Sequence, residues 1–578
     1  MRYFFLLCIF LFFFKTNSQV FKKQDSKPNV ILIITDDQGF GDLGFNGNPH
    51  IITPVLDELA SNSMRFNNFH VSPVCAPTRS SLLTGRYSLR TGVTDTYNGG
   101  AMMSNDEITL AEILKENNYE TGIFGKWHLG DNYPFRPTDQ GFDESLIHLS
   151  GGIGQVGDFT NYYAGNRSYF DPVLWHNNQQ KKYDGYCSDI FTDEAIKFIE
   201  KNKSDQFFCY LSFNAPHTPL QLPEKYYNLY KNIDPSLISE SETIKMSKKD
   251  INDAKKIYGM ITNIDDNIGK LISKLKELEI DDNTILIFMT DNGPQQLRFN
   301  SNLKGRKGKV YNGGIRVPFY LHYPKIHENG LDINSFSAHI DVLPSILSLC
   351  DIKLPNDRKL DGINLFNKTN RDIINRSFFS YWTRKFPELY HNISFNKGNY
   401  KLVGNTGYDS SINNFELYDI DTDPNERENL ISNKAKIANA MKKEMDNIYN
   451  ELINSKNIKN KPRIIVGSKF ENPTFLNRND ASGQRHIWTN DEVFGFWRIN
   501  IKKGNYDFKF KFNNLELSNG KMFIELGERI LSKNIQVDKD GFVLMKNIYT
   551  EQGEFDFTPF YNHNGKNIFP LWVEISKL

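Results

Sequence analysis

The chain has 578 residues, too long for one ordinary core, and so reads as two or more structural units. Its 69 basic and 69 acidic side chains cancel, which excludes the basic excess of a nucleic-acid footprint. Hydrophobic residues (39%) and aromatics (13%) suffice for packed cores, while five scattered cysteines are too few for a disulfide scaffold.

Arg2 precedes an unbroken apolar run, Tyr3 to Phe14, that is too short to span a bilayer and is followed by small residues at Thr16 and Ser18. Residues 1–18 read as a secretory signal peptide cleaved near Ser18–Gln19, which makes the mature chain periplasmic or secreted. Cys8 lies mid-run, against a lipoprotein anchor, and no later stretch reads as a transmembrane anchor. Cys187, Cys209 and Cys350 remain as an odd set; a single Cys187–Cys209 bond stays open.

Asn29–Thr35 is a continuous β-branched run, the pattern of a parallel strand buried on both faces, and it ends in Asp36-Asp37-Gln38-Gly39. Open α/β sheets hold ligands at such strand ends, although two acids in a turn are also often just solvated. Residues 53–62 form a predicted helix with Pro54 in its first turn. The stretch from Ser72 to Gly85 then carries Cys75, Pro77, Arg79 and the apolar pair Leu82-Leu83. It reads as a turn entering a short helix with Cys75 at its N-terminal end. A group there meets free backbone N–H donors and the positive end of the helix dipole, with Arg79 one turn on. A nucleophile and an anion are both favoured at such a place; a buried structural cysteine is the alternative.

A helix over 108–117 and a strand over 120–124 lead into Gly125-Lys126-Trp127-His128-Leu129-Gly130, a Lys and a His at another strand end. Residues 134–185 have little periodicity. Their aromatics (Phe159, Tyr162, Tyr163, Tyr169, Phe170, Trp175) make this stretch either a substrate-shaping wall or a packed excursion. After a helix over 186–201, a strand over 206–213 ends in Asn214-Ala215-Pro216-His217-Thr218-Pro219, where two prolines pin His217 in an extended turn. Residues 251–278 form one long amphipathic helix. Thr284–Thr290 repeats the first strand's pattern and ends in Asp291-Asn292-Gly293. If the two strands lie close together, Asp36, Asp37, Asp291 and Asn292 offer four oxygens to a hard cation such as Ca²⁺. Leu303–Lys309 is a basic, Gly-rich run, either solvated or anion-facing; a strand over 319–323 and a helix over 337–350 follow.

The fold class is α/β, a large mixed, mostly parallel sheet flanked by helices over 24–350. A smaller α+β subdomain spans 351–456, with strands at 377–383, 400–403 and 415–419 and a helix over 434–452. A β-rich accessory domain spans 457–578, where alternating runs at 463–466, 495–501, 506–512, 521–525 and 571–575 suggest a sandwich.

Cys75-Ala76-Pro77-Thr78-Arg79 through Gly85 resembles the signature of the type I, formylglycine-dependent sulfatases of the alkaline phosphatase superfamily. Tyr119 through His128 resembles that family's second signature, with Asn118 where a Gly is usual. The resemblance covers roughly residues 28–455 and implies an alkaline phosphatase-like fold. It implies that a formylglycine-generating or anaerobic sulfatase-maturating enzyme oxidises Cys75 to Cα-formylglycine, whose gem-diol is the nucleophile. It implies one Ca²⁺ on Asp36, Asp37, Asp291 and Asn292, with residue 75 completing the sphere. Arg79 is then expected to hold the gem-diol, Lys126 and Lys307 to bind sulfate, and His217 to protonate the leaving alcohol. His128 takes the proton of the second hydroxyl, so that sulfate leaves by elimination. Lys307 rests on aligning Leu303-Lys304-Gly305-Arg306-Lys307-Gly308 with the family's Leu-Arg-Gly-x-Lys-Gly; Lys304 and Lys309 are the register alternatives. A sulfate-site serine of some members has no clear counterpart, Ser150 lying near the right place. The implied activity is sulfate-ester hydrolysis on a sulfated glycan, with marine algal polysaccharides of the ulvan or carrageenan type preferred. Two other readings stay open: a phosphomonoester or phosphonate hydrolase of the same superfamily, and a glycan-binding protein with a dead sulfatase core.

Overall fold

The computed structural model describes residues 27–238, 243–327, 330–366 and 376–578; the expected signal peptide, 1–18, lies outside them. Asn29–Thr35 sits between Thr284–Thr290 and Phe207–Ser212, parallel to both, and Glu120–Lys126 and Glu144–His148 extend the parallel run. Strands that join it antiparallel continue this sheet on both sides to ten strands in all, with a parallel pair, Met64–Phe66 and Leu331–Ile333, at one edge. Strand alternation explains why the first strand is apolar throughout. Val30, Leu32 and Ile34 pack into a layer with Ala76, Leu82 and Leu83 of the helix Cys75–Thr84. Ile31 and Ile33 pack on the other face with Phe191 and Phe198 of Cys187–Lys201 and with Ile264 and Ile268 of Lys248–Glu277. That long helix starts at a capping box, in which Ser247 and Asp250 satisfy each other's backbone N–H groups.

The four-stranded antiparallel sheet Ser377–Tyr381, Ile393–Lys397, Tyr400–Gly404 and Phe415–Asp419 carries the helix Ala435–Ile453, which packs through Met441, Met445 and Leu452. Beyond it, seven-stranded and four-stranded sheets share one core that includes Trp497, Phe508, Phe510, Phe557 and Val573. The strand Arg529–Gln536 gave no apolar signal because it lies at the edge of its sheet with most side chains in solvent.

Three expectations change. The helix expected over 337–350 is only Val342–Leu349, because Ser337–Ala338 pairs with Phe69–His70 and a tight turn, His339–Asp341, intervenes. The four cysteines among the described residues, Cys75, Cys187, Cys209 and Cys350, are free and buried, so the Cys187–Cys209 bond is absent. The rings of the aromatic stretch pack as a structural excursion and do not wall the cleft that Gly151 and Gln155 of the same stretch line. Phe159 stacks on Phe475 and Trp572, Trp175 meets Phe475 edge-on, and Tyr163 donates a hydrogen bond to Asn513. These rings bind the C-terminal β-sheets to the central domain. Asn477 and Asp480 from those sheets reach the buried Asp131, Asn477 Nδ2 donating to its carboxylate (2.8 Å) and its own N–H donating to Asp480 (3.1 Å).

Candidate active site

The parallel strands deliver their C-terminal ends to one edge of the sheet. Register pairs Thr35 with Thr290, which sets Asp36 beside Asp291, and the Asp291 N–H donates to the Thr35 carbonyl (3.0 Å). In a continuing strand Asp36 and Asp37 would face opposite ways. Asp37 instead adopts φ +66°, which ends the alternation, and its carboxylate accepts from Asn292 Nδ2 (2.8 Å). On the strand Glu120–Lys126, which lies beyond Phe207–Ser212 in the sheet, Gly125 has φ +118°, and a side chain there would strike the Ser212 carbonyl, so only glycine allows the kink that presents Lys126.

Cys75 is the first residue of its helix, after the extended Val74. One turn on, the fully buried Arg79 donates from Nε and Nη2 to one oxygen of Asp291 (3.1 and 2.8 Å). Its Nη1 donates to the Lys126 carbonyl (3.1 Å) and to Ser212 Oγ (2.5 Å). Lys126 Nζ lies 2.6 Å from Asp36 Oδ2, and Lys307 Nζ lies 2.5 Å from Asp37 Oδ1. Two backbone bonds hold the Lys307 loop, from the Lys307 N–H to the Pro294 carbonyl (3.0 Å) and from the Gly308 N–H to the Pro73 carbonyl (2.7 Å). Of the register alternatives, Lys304 is turned away to Glu416 and Tyr418, and Lys309 lines the cleft without an ion pair among the described residues.

Three carboxylates thus meet three cations, yet Asp36 Oδ1, Asp37 Oδ2 and Asn292 Oδ1 are buried without a hydrogen-bond partner. Each such orphan costs about 1–3 kcal/mol, so three together call for a donor or a cation among them. The oxygen donors suit a hard cation, and ligand atoms of Asp36, Cys75 and Asp291 lie within 4.8 Å of one another.

Burial pushes the Cys75 thiol up in spite of Lys126 and Lys307, so a thiolate is disfavoured there. Cys75 Sγ lies 3.5 Å from His128 Nδ1, while His128 Nε2 lies 2.7 Å from the Thr96 carbonyl. A carbonyl accepts only, so Nε2 carries the proton and Nδ1 offers its lone pair to residue 75. Burial first and Lys126 second hold this imidazole well below its ordinary value and keep it neutral. His217 Nε2 stands 3.7 Å from Asp37 Oδ2, and its Nδ1 lies 2.8 Å from the Thr218 carbonyl. Burial and then Lys307 push it down to about 3, so a second proton on this ring needs an anion beside it. Burial, then Asp36, raise Asp291 to about 6 against the pull of Arg79. On Asp37, burial is outweighed by Lys307 and His217, which hold the carboxyl below the usual range.

Cys75, His128, His217 and Lys307 open onto a cleft of about 540 Å³. Ser150 does not line it; it is buried, with its N–H on Asp131. Gly151 and Gln155 of the same loop do line it, and Gln155 Nε2 lies 3.3 Å from the Thr218 carbonyl beside His217. Thr96, Gln155 and Trp382, which also lines the cleft, carried no signal in the sequence, because each acts through a carbonyl, an amide or a ring face.

Residues 28–352 match the profile of the family described as Sulfatase, and residues 306–451 match that of the N-sulphoglucosamine sulphohydrolase C-terminal region. Arylsulfatase J of Mus musculus is 31% identical over 352 residues, which is 59% of this chain and 55% of that protein. The ulvan-active sulfatase of Formosa agariphila is 30% identical over 355 residues, 59% of this chain and 66% of that one. The chain thus spans less than two thirds of the length of these two relatives. The crystal structure of Ps i-CgsB in complex with k-i-k-neocarrahexaose superposes with a TM-score of 0.64 at 30% identity, covering 73% of this chain and 93% of that one. A phosphonate monoester hydrolase of Agrobacterium radiobacter shares the fold at 19% identity and a TM-score of 0.53, so the fold alone does not choose between sulfur and phosphorus esters. The family match takes in more than half of the chain and the site residues from Asp36 to Lys307, and the chain belongs to the sulfatase family of the alkaline phosphatase superfamily.

Proposed function

We propose that this chain hydrolyses sulfate esters on a sulfated glycan, with Cys75 converted to Cα-formylglycine before it acts. The observation that carries the reading is the ring of three cations, two of them fully buried, and three unpartnered oxygens around a cysteine whose thiolate is disfavoured. The hydrated aldehyde supplies two hydroxyls, one to attack sulfur and one to release the enzyme afterwards. Asp36, Asp37, Asp291 and Asn292 would hold a Ca²⁺, which would supply positive charge at the sulfate oxygens. Lys126 and Lys307 share that charge, and both are held by carboxylates, Lys126 fully buried and Lys307 at the floor of the cleft. Arg79 fixes Asp291 and the Lys126 carbonyl, and so sets the frame on which residue 75 stands. His128 Nδ1 takes a proton from residue 75. His217 gives one to the leaving oxygen, its second proton held by the negative charge of the bound ester.

All ten residues of Cys75–Thr84 are buried, so a maturating enzyme reaches Cys75 only in the unfolded chain. We read 1–18 as the signal for export and 24–350 with 351–456 as the catalytic unit. No helix among the described residues is long and apolar enough to cross a membrane. Ulvan- or carrageenan-type polysaccharides are the preferred substrates. The test is sulfate release from such oligosaccharides, side by side with phosphate release from matching phosphate esters. Phosphate release alone, from protein carrying the aldehyde, overturns the sulfatase reading.

Two further outcomes are expected. His217→Ala lowers kcat on sugar sulfates roughly 10²- to 10⁴-fold but much less on aryl sulfates, whose leaving groups need no acid; equal losses on both would remove His217 from that role. Chelation lowers the melting temperature by roughly 2–4 °C, and added Ca²⁺ restores it, because a ligand bound only by the native state stabilises it. An unchanged melt after chelation argues against a resident cation.

A further inference from the structure

Residues 457–578 lie beyond both family matches, and the chemistry above uses none of them. Two of their side chains, Arg485 and Trp488, nevertheless line the cleft that holds Cys75 and His217. They are placed by the strip that also holds His128. The Gly99 N–H donates to the Asn479 carbonyl (3.2 Å), Asn98 Nδ2 to the Gly483 carbonyl (3.2 Å) and the Tyr97 hydroxyl to the Arg485 carbonyl (2.7 Å). The Tyr97 ring meets Trp488 edge-on at 5.4 Å and carries the Arg384 guanidinium at 4.8 Å. Asp95 accepts from both Arg384 (2.8 Å) and Trp382 Nε1 (3.1 Å). Central domain, subdomain and C-terminal β-sheets thus build one wall of rings and guanidinium groups.

The charge of this wall is unbalanced. Outside the catalytic set the cleft lining carries Lys309, Arg384, Lys385 and Arg485 against Glu388. Asp95 neutralises Arg384, and among the described residues Lys309, Lys385 and Arg485 make no ion pair. A sulfate ester seated at Cys75, Lys126 and Lys307 turns the rest of its sugar toward this wall. Ring faces suit the C–H face of a sugar, and a free guanidinium suits a planar or tetrahedral oxyanion.

Resting on the sulfatase reading, we infer that Arg485 and Trp488, with Arg384 and Trp382, form a subsite for a second anionic group of the substrate, a carboxylate or a second sulfate. The enzyme then prefers glycans that carry an acid close to the sulfate it removes, and the C-terminal β-sheets select the substrate.

The test uses the full matured chain and its Arg485→Ala, Arg485→Lys and Trp488→Ala variants. The substrates are a sulfated oligosaccharide bearing a neighbouring uronate, the same oligosaccharide with its carboxyl reduced to the alcohol, a disulfated oligosaccharide without uronate, and 4-nitrophenyl sulfate. The wild type is expected to favour an acidic oligosaccharide over its neutral counterpart in kcat/KM. Arg485→Ala should shrink that ratio roughly 10- to 100-fold, the worth of a charge-assisted hydrogen bond, with Arg485→Lys in between and Trp488→Ala losing on every oligosaccharide. The uronate and disulfated arms tell carboxylate from sulfate. A ratio unchanged by Arg485→Ala, or an equal loss on 4-nitrophenyl sulfate, overturns the subsite. Failure of the wild type on 4-nitrophenyl sulfate and on every oligosaccharide strikes the sulfatase reading instead.

Discussion

Cys75→Ala is expected to abolish sulfate release, a loss of roughly 10⁴- to 10⁶-fold in kcat, the scale seen when a covalent nucleophile is removed. The substitution deletes one sulfur at the start of a helix whose other contacts stay intact, so the variant should fold. Activity and stability are thereby separated, which most substitutions in so buried a site cannot do. Two measurements check it. The variant's melt should match the wild type's within a few degrees, and the mass of the wild-type peptide carrying residue 75 should show the aldehyde in place of the thiol. Activity from protein whose peptide still carries the thiol would falsify the formylglycine reading and return Cys75 to the role of an ordinary sulfur nucleophile. The structure weighs against that role, because burial raises the thiol's pKa where a thiolate nucleophile needs it lowered.

Arg79→Ala should cost both folding and function. Arg79 and Asp291 are each 0% exposed, and Arg79 spends four hydrogen bonds on Asp291, the Lys126 carbonyl and Ser212. Removing one partner leaves a buried carboxylate that water cannot reach, which costs about 3–5 kcal/mol. Asp291 is already raised to about 6 by burial and by Asp36, and without Arg79 it rises further, so the cation site holds that negative charge less firmly. Arg79→Lys should rescue little, since an ammonium cannot reproduce the forked geometry. The check is soluble yield and thermal melting of Arg79→Ala beside Asp291→Asn and the double variant. The double variant should be more stable than the sum of the single losses predicts. A single Arg79→Ala variant that melts with the wild type would show the pair to be dispensable.

Much of this site was legible before folding was considered. Two apolar runs, each closing on Thr and then on oxygen-bearing side chains, read as buried parallel strands, and that they are neighbours came from the structure. Their register, Thr35 opposite Thr290, brings Asp36, Asp37, Asp291 and Asn292 together. The helix beginning at Cys75, the kinked strand end at Lys126 and the pinned His217 are likewise local matters of pattern, glycine and proline. Asn118 stands where glycine is usual and takes φ +65°, a conformation asparagine tolerates. The aromatic stretch was open to two readings because composition reports that rings will be buried without reporting against what. Its partners, Phe475 and Trp572, come hundreds of residues later.

The sequence by itself determined the chemistry on offer, because side-chain type, strand period and turn residues act over a few positions and survive in any context. Only the tertiary structure decided three things. It showed that Arg79 spends its guanidinium on Asp291, that a backbone carbonyl at Thr96 orients the ring of His128, and that Arg485 and Trp488 share a cleft with residue 75. Each is a contact between segments far apart in the chain. Such contacts follow from how sheets dock and where loops end, and no local period records them.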